Sequence, residues 1–337
     1  MQCKEIMQVI EATYPRTAAL DFDNVGLLAG RADKEVNRVY LALDATDRVI
    51  ERAIEAGADM LITHHPLLFS AVKKVTDEDF ITRRIVKLIQ NDISYYAMHT
   101  NYDVLGMAEL AGKVLDIAHT DVLDVTQTDE VGEEKGIGRI GELPETMTLE
   151  ECCVYVKHKL ELGSLKVFGD MNRPVRRLAI LPGSGKSGIP VALAKGADVL
   201  VTGDIGHHDG LDAVEQGLAI IDAGHYGTEY IFIEDMKQFL NRKLPVLDVN
   251  IHFRSSELCR RWRQMEESVC RVTLGNITKE YKKGTTYSEI AREFQPDYEH
   301  QIVLAMVDGY HLRELRKTVE KDCEIHFLTT ADPIGND

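Results

Sequence analysis

Apolar residues fall along this chain in two rhythms. Short unbroken runs, such as Val39 to Leu43, Met60 to Ile62 and Leu178 to Leu181, read as buried strands. Longer stretches with helical spacing lie between and around them. MQCKEIMQVIEATYP at the start and Leu149 to Leu160 are examples. The two rhythms alternate in the same order twice. Residues 38–66 (RVYLALDATDRVIERAIEAGADMLITHHP) align without a gap on 177–205 (RLAILPGSGKSGIPVALAKGADVLVTGDI). Gly57-Ala58-Asp59 falls on Gly196-Ala197-Asp198, and Thr63 on Thr202. Each copy is an apolar run, a polar or glycine turn, a helical stretch that Thr46 or Asp47 can cap in the first copy, and a second apolar run. That is a β-α-β unit, which requires parallel strands and a right-handed crossover.

A third run follows in each copy, and each leads into the same pair of residue types. ISYYAMHTNYD ends in His99 and Asp103; LAIIDAGHYGTE ends in His225 and Glu229. A histidine is followed four positions on by a carboxylate, and then by a helical stretch (Val104 to Leu115; Tyr230 to Leu240). Ligands of open α/β sheets sit beyond the carboxyl ends of strands. His64, His65, Asp103, His225 and Glu229 all stand at such ends. Strand alternation lapses there, so the adjacent pair His64-His65 can turn both rings into one crevice.

Beyond residue 250 the pattern changes. Residues 253–270 read as a linking helix. RVTLGNITKEY places two strands around Gly275-Asn276, and GTTYSEIAREF supplies a cap and a helix. Further strands fall at IVLAMV and CEIHFLTT. The order β-β-α-β-(β)-β is that of a β-grasp. The expected organisation is therefore a first α/β module (1–128), a second (129–252), both forming one metal domain, a linker (253–270) and a β-grasp domain (271–337).

Composition narrows the reading. No run of about 18 apolar residues predicts a membrane span, and the start lacks the order of a signal peptide. The six cysteines form no C-x-x-C pair and read as reduced thiols of a cytoplasmic protein. The net charge of -16 disfavours general nucleic-acid binding. Residues 271–337 carry 9 basic and 12 acidic side chains, a balance of -3, which weighs against RNA as a partner of the tail.

Three imidazoles and two carboxylates with no thiolate suit Zn, Fe, Mn, Co or Ni. Five ligands exceed the four of a closed structural zinc site and fit two divalent ions sharing a carboxylate. His99 is a further ligand or a partner that orients Asp103. Asp204, His207 and His208 lie where the second copy matches the histidine pair, and His208 is a candidate for substrate contact or proton transfer. LPGSGKSG resembles a phosphate loop, but that pattern needs glycine where Ile180 stands. Cys152-Cys153 reads as packing.

The stretches DFDNVGLLAG (21–30), LITHHPLL (61–68), HTNYD (99–103), TGDIGHHD (202–209) and GHYGTE (224–229) together resemble the family of toroidal hexamers with a dinuclear metal centre, the GTP cyclohydrolase 1 type 2 homologues. The resemblance covers about residues 1 to 250. It implies two duplicated modules flanking a bimetal site, with His64, His65, Asp103, His225 and Glu229 as ligands and Glu229 bridging. It also implies a homohexamer. Some relatives carry a large insert between the modules, for which the connection 129–175 is too short here. The tail is similar to the TGS domain in GTTYSEIA (284–291), IVLAMVDG (302–309), LREL (312–315) and CEIHFLTTAD (323–332), which implies RNA or nucleotide recognition or a docking role. The expectation is a metal-dependent hydrolase of a nucleotide or phosphorylated small molecule, with His99 and His208 carrying protons. The alternative is a non-catalytic metal-binding scaffold that meets partners through its tail.

Overall fold

The computed structural model describes residues 1–129, 131–252, 269–282, 284–309, 311–319 and 321–332. The chain divides into two compact units, Met1–Arg261 and Trp262–Asp337. Its described residues form a mixed α/β protein with three sheets. Among the described residues no helix is long and apolar enough to cross a membrane.

The first sheet takes β1 (Gly26–Ala29), β2 (Arg38–Ala42), β3 (Met60–Thr63) and β4 (Ser94–Ala97). The second takes β5 (Ala118–Thr128), β6 (Glu134–Thr148), β7 (Lys166–Phe168), β8 (Pro174–Ser184), β9 (Val199–Gly203) and β10 (Ala219–Asp222). The next strand, β11 (Asp248–Ile251), returns to the first sheet and pairs parallel to β2. The strand orders are β1-β4-β3-β2-β11 and β5-β6-β8-β9-β10-β7. In each, three parallel strands follow one another (β2, β3, β4 and β8, β9, β10), and an antiparallel strand closes the edge on the third.

The gapless alignment of the two stretches is reproduced in register. Val39 pairs with Met60 and Leu178 with Val199, which are aligned positions. Gly-Ala-Asp has one physical reason in both copies. Gly57 and Gly196 adopt positive φ (65° and 70°), which a Cβ would strain, and end the preceding helices. The next N–H groups, on Ala58 and Ala197, reach back to the carbonyls of Ala53 and Ala192, completing the six-residue helix stop. Asp59 then accepts from the N–H groups of Asn37 and Arg38, and Asp198 from those of Arg176 and Arg177. Each aspartate thus fastens the entry of one strand to the exit of the helix that leads to the next.

The division at residue 128 is not how the sheets divide. Residues 118–128 pair with β6 and belong to the second sheet, because the long β5–β6 hairpin continues its ladder. Residues 248–251 belong to the first sheet, because an open edge of β2 accepts them. One apolar core binds the two sheets. It runs from Ile6 and Ile10 of the first helix through Leu41, Met60 and Tyr96 to Ile180, Val201, Ile221, Phe232 and Phe239.

The second unit holds β12 (Val269–Leu274), β13 (Ile277–Lys282), a helix Tyr287–Phe294, β14 (Ile302–Val307), β15 (His311–Glu314) and β16 (Cys323–Thr329). Their order is β13-β12-β16-β14-β15, with β12 and β16 parallel. Thr286 caps the helix through a reciprocal box with Glu289. Ile290, Phe294, Ala305, Ile325 and Phe327 form its own core. The linking helix expected over 253–270 lies outside the described residues for 253–268, and residues 269–270 open β12.

Candidate metal centre

The exits of β3, β4 and β10 converge on one cluster. After β3 the chain continues to His64 and His65, where the His65 N–H donates to the Leu43 carbonyl. The turn is stitched by the Tyr95 hydroxyl, which donates to the His65 carbonyl at 3.0 Å and accepts from the Leu67 N–H at 2.8 Å. After β4 comes a helical run from Thr100 that loosens to a π-helix over Asp103–Met107. Such wide turns recur at functional sites because they re-aim one side chain. After β10 the short helix His225–Glu229 sets its first and last residues one turn apart on one face.

The five residues expected as ligands meet here. His65 Nε2 lies 2.9 Å and His225 Nε2 3.1 Å from Glu229 Oε2. His64 Nε2 lies 3.3 Å from Asp103 Oδ1 and 3.8 Å from Glu229 Oε1. His64 is fully buried and Glu229 3% exposed. Both nitrogens of His64, Asp103 Oδ1 and Glu229 Oε2 are buried without a properly directed hydrogen bond, although oppositely charged atoms stand close by. Polar atoms that crowd together without aiming at one another, at a cost of about 1–3 kcal/mol each if left so, form a donor set that a cation could satisfy. The ligand atoms of His64, Asp103 and Glu229 form one compact group, and those of His65, His225 and Glu229 another; Glu229 is common to both.

Three carboxylates fasten the outer ring nitrogens. Asp44 Oδ1 accepts from His65 Nδ1 at 2.7 Å, Asp204 Oδ2 from His225 Nδ1 at 2.7 Å, and Asp23 Oδ1 from His99 Nδ1 at 2.8 Å. A carboxylate on one nitrogen fixes the tautomer and leaves the other nitrogen's lone pair for the centre. Phe232 and Tyr102 pack their rings around His64 at centroid distances of 5.3 and 6.2 Å.

The carboxylates and imidazoles of the cluster hold one another in their charged forms. Burial pushes the three imidazoles down, but Asp103 and Glu229 raise His64 to about 10. Asp44 and Glu229 raise His65 to about 9, and Glu229 with Asp204 raises His225 to about 9. Burial pushes Glu229 up, yet its three histidines hold it well below the usual carboxylate range. Burial likewise opposes the ionisation of Asp23, but hydrogen bonds from His99 and Thr100 bring it to about 2.

His99 joins a third compact group with His64 and His65. Its link to Asp103 is through the backbone, the Asp103 N–H donating to the His99 carbonyl at 3.0 Å. Strand register sets Thr63 opposite Ala97 and Thr202 opposite Asp222, so His99 matches Gly224, one place before His225. His207 and His208 open the helix His207–Glu215, exposed, with rings 5.2 Å apart; among the described residues neither enters a ligand group. The glycine-rich LPGSGKSG has another reason than phosphate. A Cβ at Gly183 would overlap Glu229 Oε1, and one at Gly185 would overlap the Thr202 side chain. Asp23 and Asp44 escaped the sequence reading; Asp23 lay within the quoted DFDNVGLLAG, but no spacing marked it.

The family model of Duf34/NIF3 (NGG1p interacting factor 3) matches residues 1–258 of this chain. A Clostridium acetobutylicum protein named GTP cyclohydrolase 1 type 2 homolog is 35% identical over 252 residues, spanning 74% of this chain and 93% of the relative. The crystal structure of a Staphylococcus aureus hypothetical protein superposes with a TM-score of 0.70 at 33% identity, covering 77% of this chain and 98% of that one. A Bacillus cereus protein related to NIF3 gives a TM-score of 0.70 at 26% identity, covering 76% and 98%.

Proposed function

This chain belongs to the Duf34/NIF3 (NGG1p interacting factor 3) family, and we propose that it is a metal-dependent hydrolase acting on a nucleotide or a phosphorylated small molecule. One observation carries the proposal: two groups of ligand atoms share the single carboxylate of Glu229, and in the first of them His64, Asp103 Oδ1 and Glu229 Oε2 are buried without a directed hydrogen bond. His64, Asp103 and Glu229 would hold one divalent ion, and His65, His225 and Glu229 a second. Bound there, such ions of the Zn, Fe, Mn, Co or Ni class supply Lewis-acid activation of water and charge for an anionic substrate.

The chain's own groups do the positioning. Asp44 and Asp204 keep the Nε2 lone pairs of His65 and His225 turned inward. Phe232 and Tyr102 shut water from the ring of His64. His99, held at Nδ1 by Asp23, has its other nitrogen available to carry a proton at the rim. The proposal leaves His208 out, since it stands exposed on its own helix.

The matching registers support a duplicated β-α-β module. The strand order of the second unit supports a β-grasp, of the TGS-like kind, beyond residue 270. The name carried by the relatives adds opening of a purine ring to the reactions worth assaying. Mn²⁺- or Zn²⁺-loaded full-length protein should hydrolyse a member of a panel of nucleotides, GTP included, and phosphoesters; Glu229→Ala should lose both metal and turnover. Metallated protein that stays inert across the panel would favour a scaffold, a reading supported by a second unit that has its own core and lies beyond the family match.

A further inference from the structure

Two phenylalanines on loops beside the candidate metal centre stand largely exposed and in contact with each other. Phe22 is 61% and Phe69 52% exposed, so both forgo the stabilisation that burial gives a large ring. Yet the loops that carry them are pinned. Asp23, next to Phe22, accepts from His99 Nδ1 and from both the N–H and the hydroxyl of Thr100. Asn24 Nδ2 donates to the carbonyl of Leu68, next to Phe69, at 2.6 Å. The rings lie 6.1 Å apart between centroids and are inclined by 46°, an open wedge. Phe69 meets His99 at 6.3 Å, nearly edge to face, and His99 in turn meets His64 and His65. Phe69 also lines a cavity of about 500 Å³, with Leu67, Val72, Lys73, Lys74, Glu78 and Asp79 among its other walls. That is the size of a small-molecule pocket.

We propose that Phe22 and Phe69 are the recognition rim of the metal centre, stacking against the planar base of a nucleoside monophosphate whose phosphate reaches the metal ligands. Stacking on exposed aromatic faces is how proteins hold bases without reading their edges. Lys73 and Lys74 line this mouth together with Glu78 and Asp79, so the charges there balance and recognition at the rim falls to the rings. A small ligand fits better than a second copy of the chain, because the wedge is continuous with His99 and its occupant must also fill the centre. The inference rests on the metal-dependent reading above.

The test uses the full-length protein loaded with Mn²⁺, its metal content measured in each sample. Calorimetry compares AMP, GMP, CMP and UMP with ribose 5-phosphate, which keeps the phosphate and lacks the base. At least one nucleotide should bind about tenfold tighter than ribose 5-phosphate. The double variant Phe22→Leu with Phe69→Leu, apolar but without rings, should lose that margin and leave ribose 5-phosphate binding unchanged. Phe22→Tyr with Phe69→Tyr should keep it, which separates stacking from misfolding. The proposal is overturned if the wild type shows no preference for a base. It is equally overturned if the leucine variant keeps the preference, including the case in which light scattering shows that only its assembly has changed. Failure of the metal reading shows separately, as phosphate ligands binding equally well to chelator-treated protein.

Discussion

Loading the metal-free protein with Mn²⁺ at pH 7.5 should expel close to three protons per chain. The carboxylates of Glu229, Asp103, Asp44 and Asp204 hold His64 near 10 and His65 and His225 near 9. A group titrating near 9 keeps its proton in about 97% of molecules at pH 7.5, and one near 10 in nearly all. A metal ligand must be a neutral imidazole, so each coordinated histidine gives up its proton. The two ligand groups differ in a way that can be read. The group of His65 and His225 loses two protons per ion, so below pH 9 its apparent affinity should rise about a hundredfold per pH unit. The group of His64 and Asp103 loses one, so its affinity should rise about tenfold. The assay is titration calorimetry in buffers of different ionisation enthalpy, repeated between pH 6.5 and 8.5. Mn²⁺ is chosen because its own hydration water is a weak acid, so the protons counted come from the side chains. Release of fewer than one proton, or an affinity that ignores pH in this range, would refute the assignment of these histidines as ligands.

The same shifts set the pH dependence of metal-free stability. A histidine whose pKa is raised on folding contributes stability that is full below about 6.5 and is lost as pH climbs through its folded value. The metal-free protein should therefore lose melting temperature between pH 7 and 10, while the Mn²⁺ form should lose far less. Asp44→Asn and Asp204→Asn should each weaken metal binding about 10- to 100-fold without altering the circular dichroism. Equal metal affinity in these variants would remove the carboxylates from the account. Gly183→Ala should displace Glu229 and lower metal content, since a Cβ there overlaps its Oε1; full metal loading would show that the loop yields. Asp198→Ala should cost about 1–3 kcal/mol in urea unfolding, because two strand-entry N–H groups lose their acceptor.

Much of this was legible in the chain because two of its stretches match position for position. The gapless match of 38–66 to 177–205 reappears as equal registers, and Gly-Ala-Asp serves the same turn and the same strand entry in both. The five cluster residues were legible because they stand at strand exits, where periodicity stops explaining side-chain type. The rest left no local trace. DVNI (248–251) carries nothing to say that it returns to β2, since an open edge accepts many partners. Asp23 and Asp44 look like any polar turn residue until the rings they hold are in place. The matching positions of His99 and His225 rested on spacing to the next carboxylate, whereas the strand registers set His99 against Gly224 and so offset the two pairs by one place. His208 shares its motif with Asp204 but points elsewhere, because the two lie on opposite sides of a helix start.

The most direct measurement is anomalous scattering from crystals of the full-length protein soaked in Zn²⁺, with data on both sides of the zinc edge. The account predicts two peaks, one about 2.0–2.2 Å from ligand atoms of His64, Asp103 and Glu229 and the other at that distance from His65, His225 and Glu229. A single peak, peaks elsewhere, or an empty cluster at saturating zinc would contradict it.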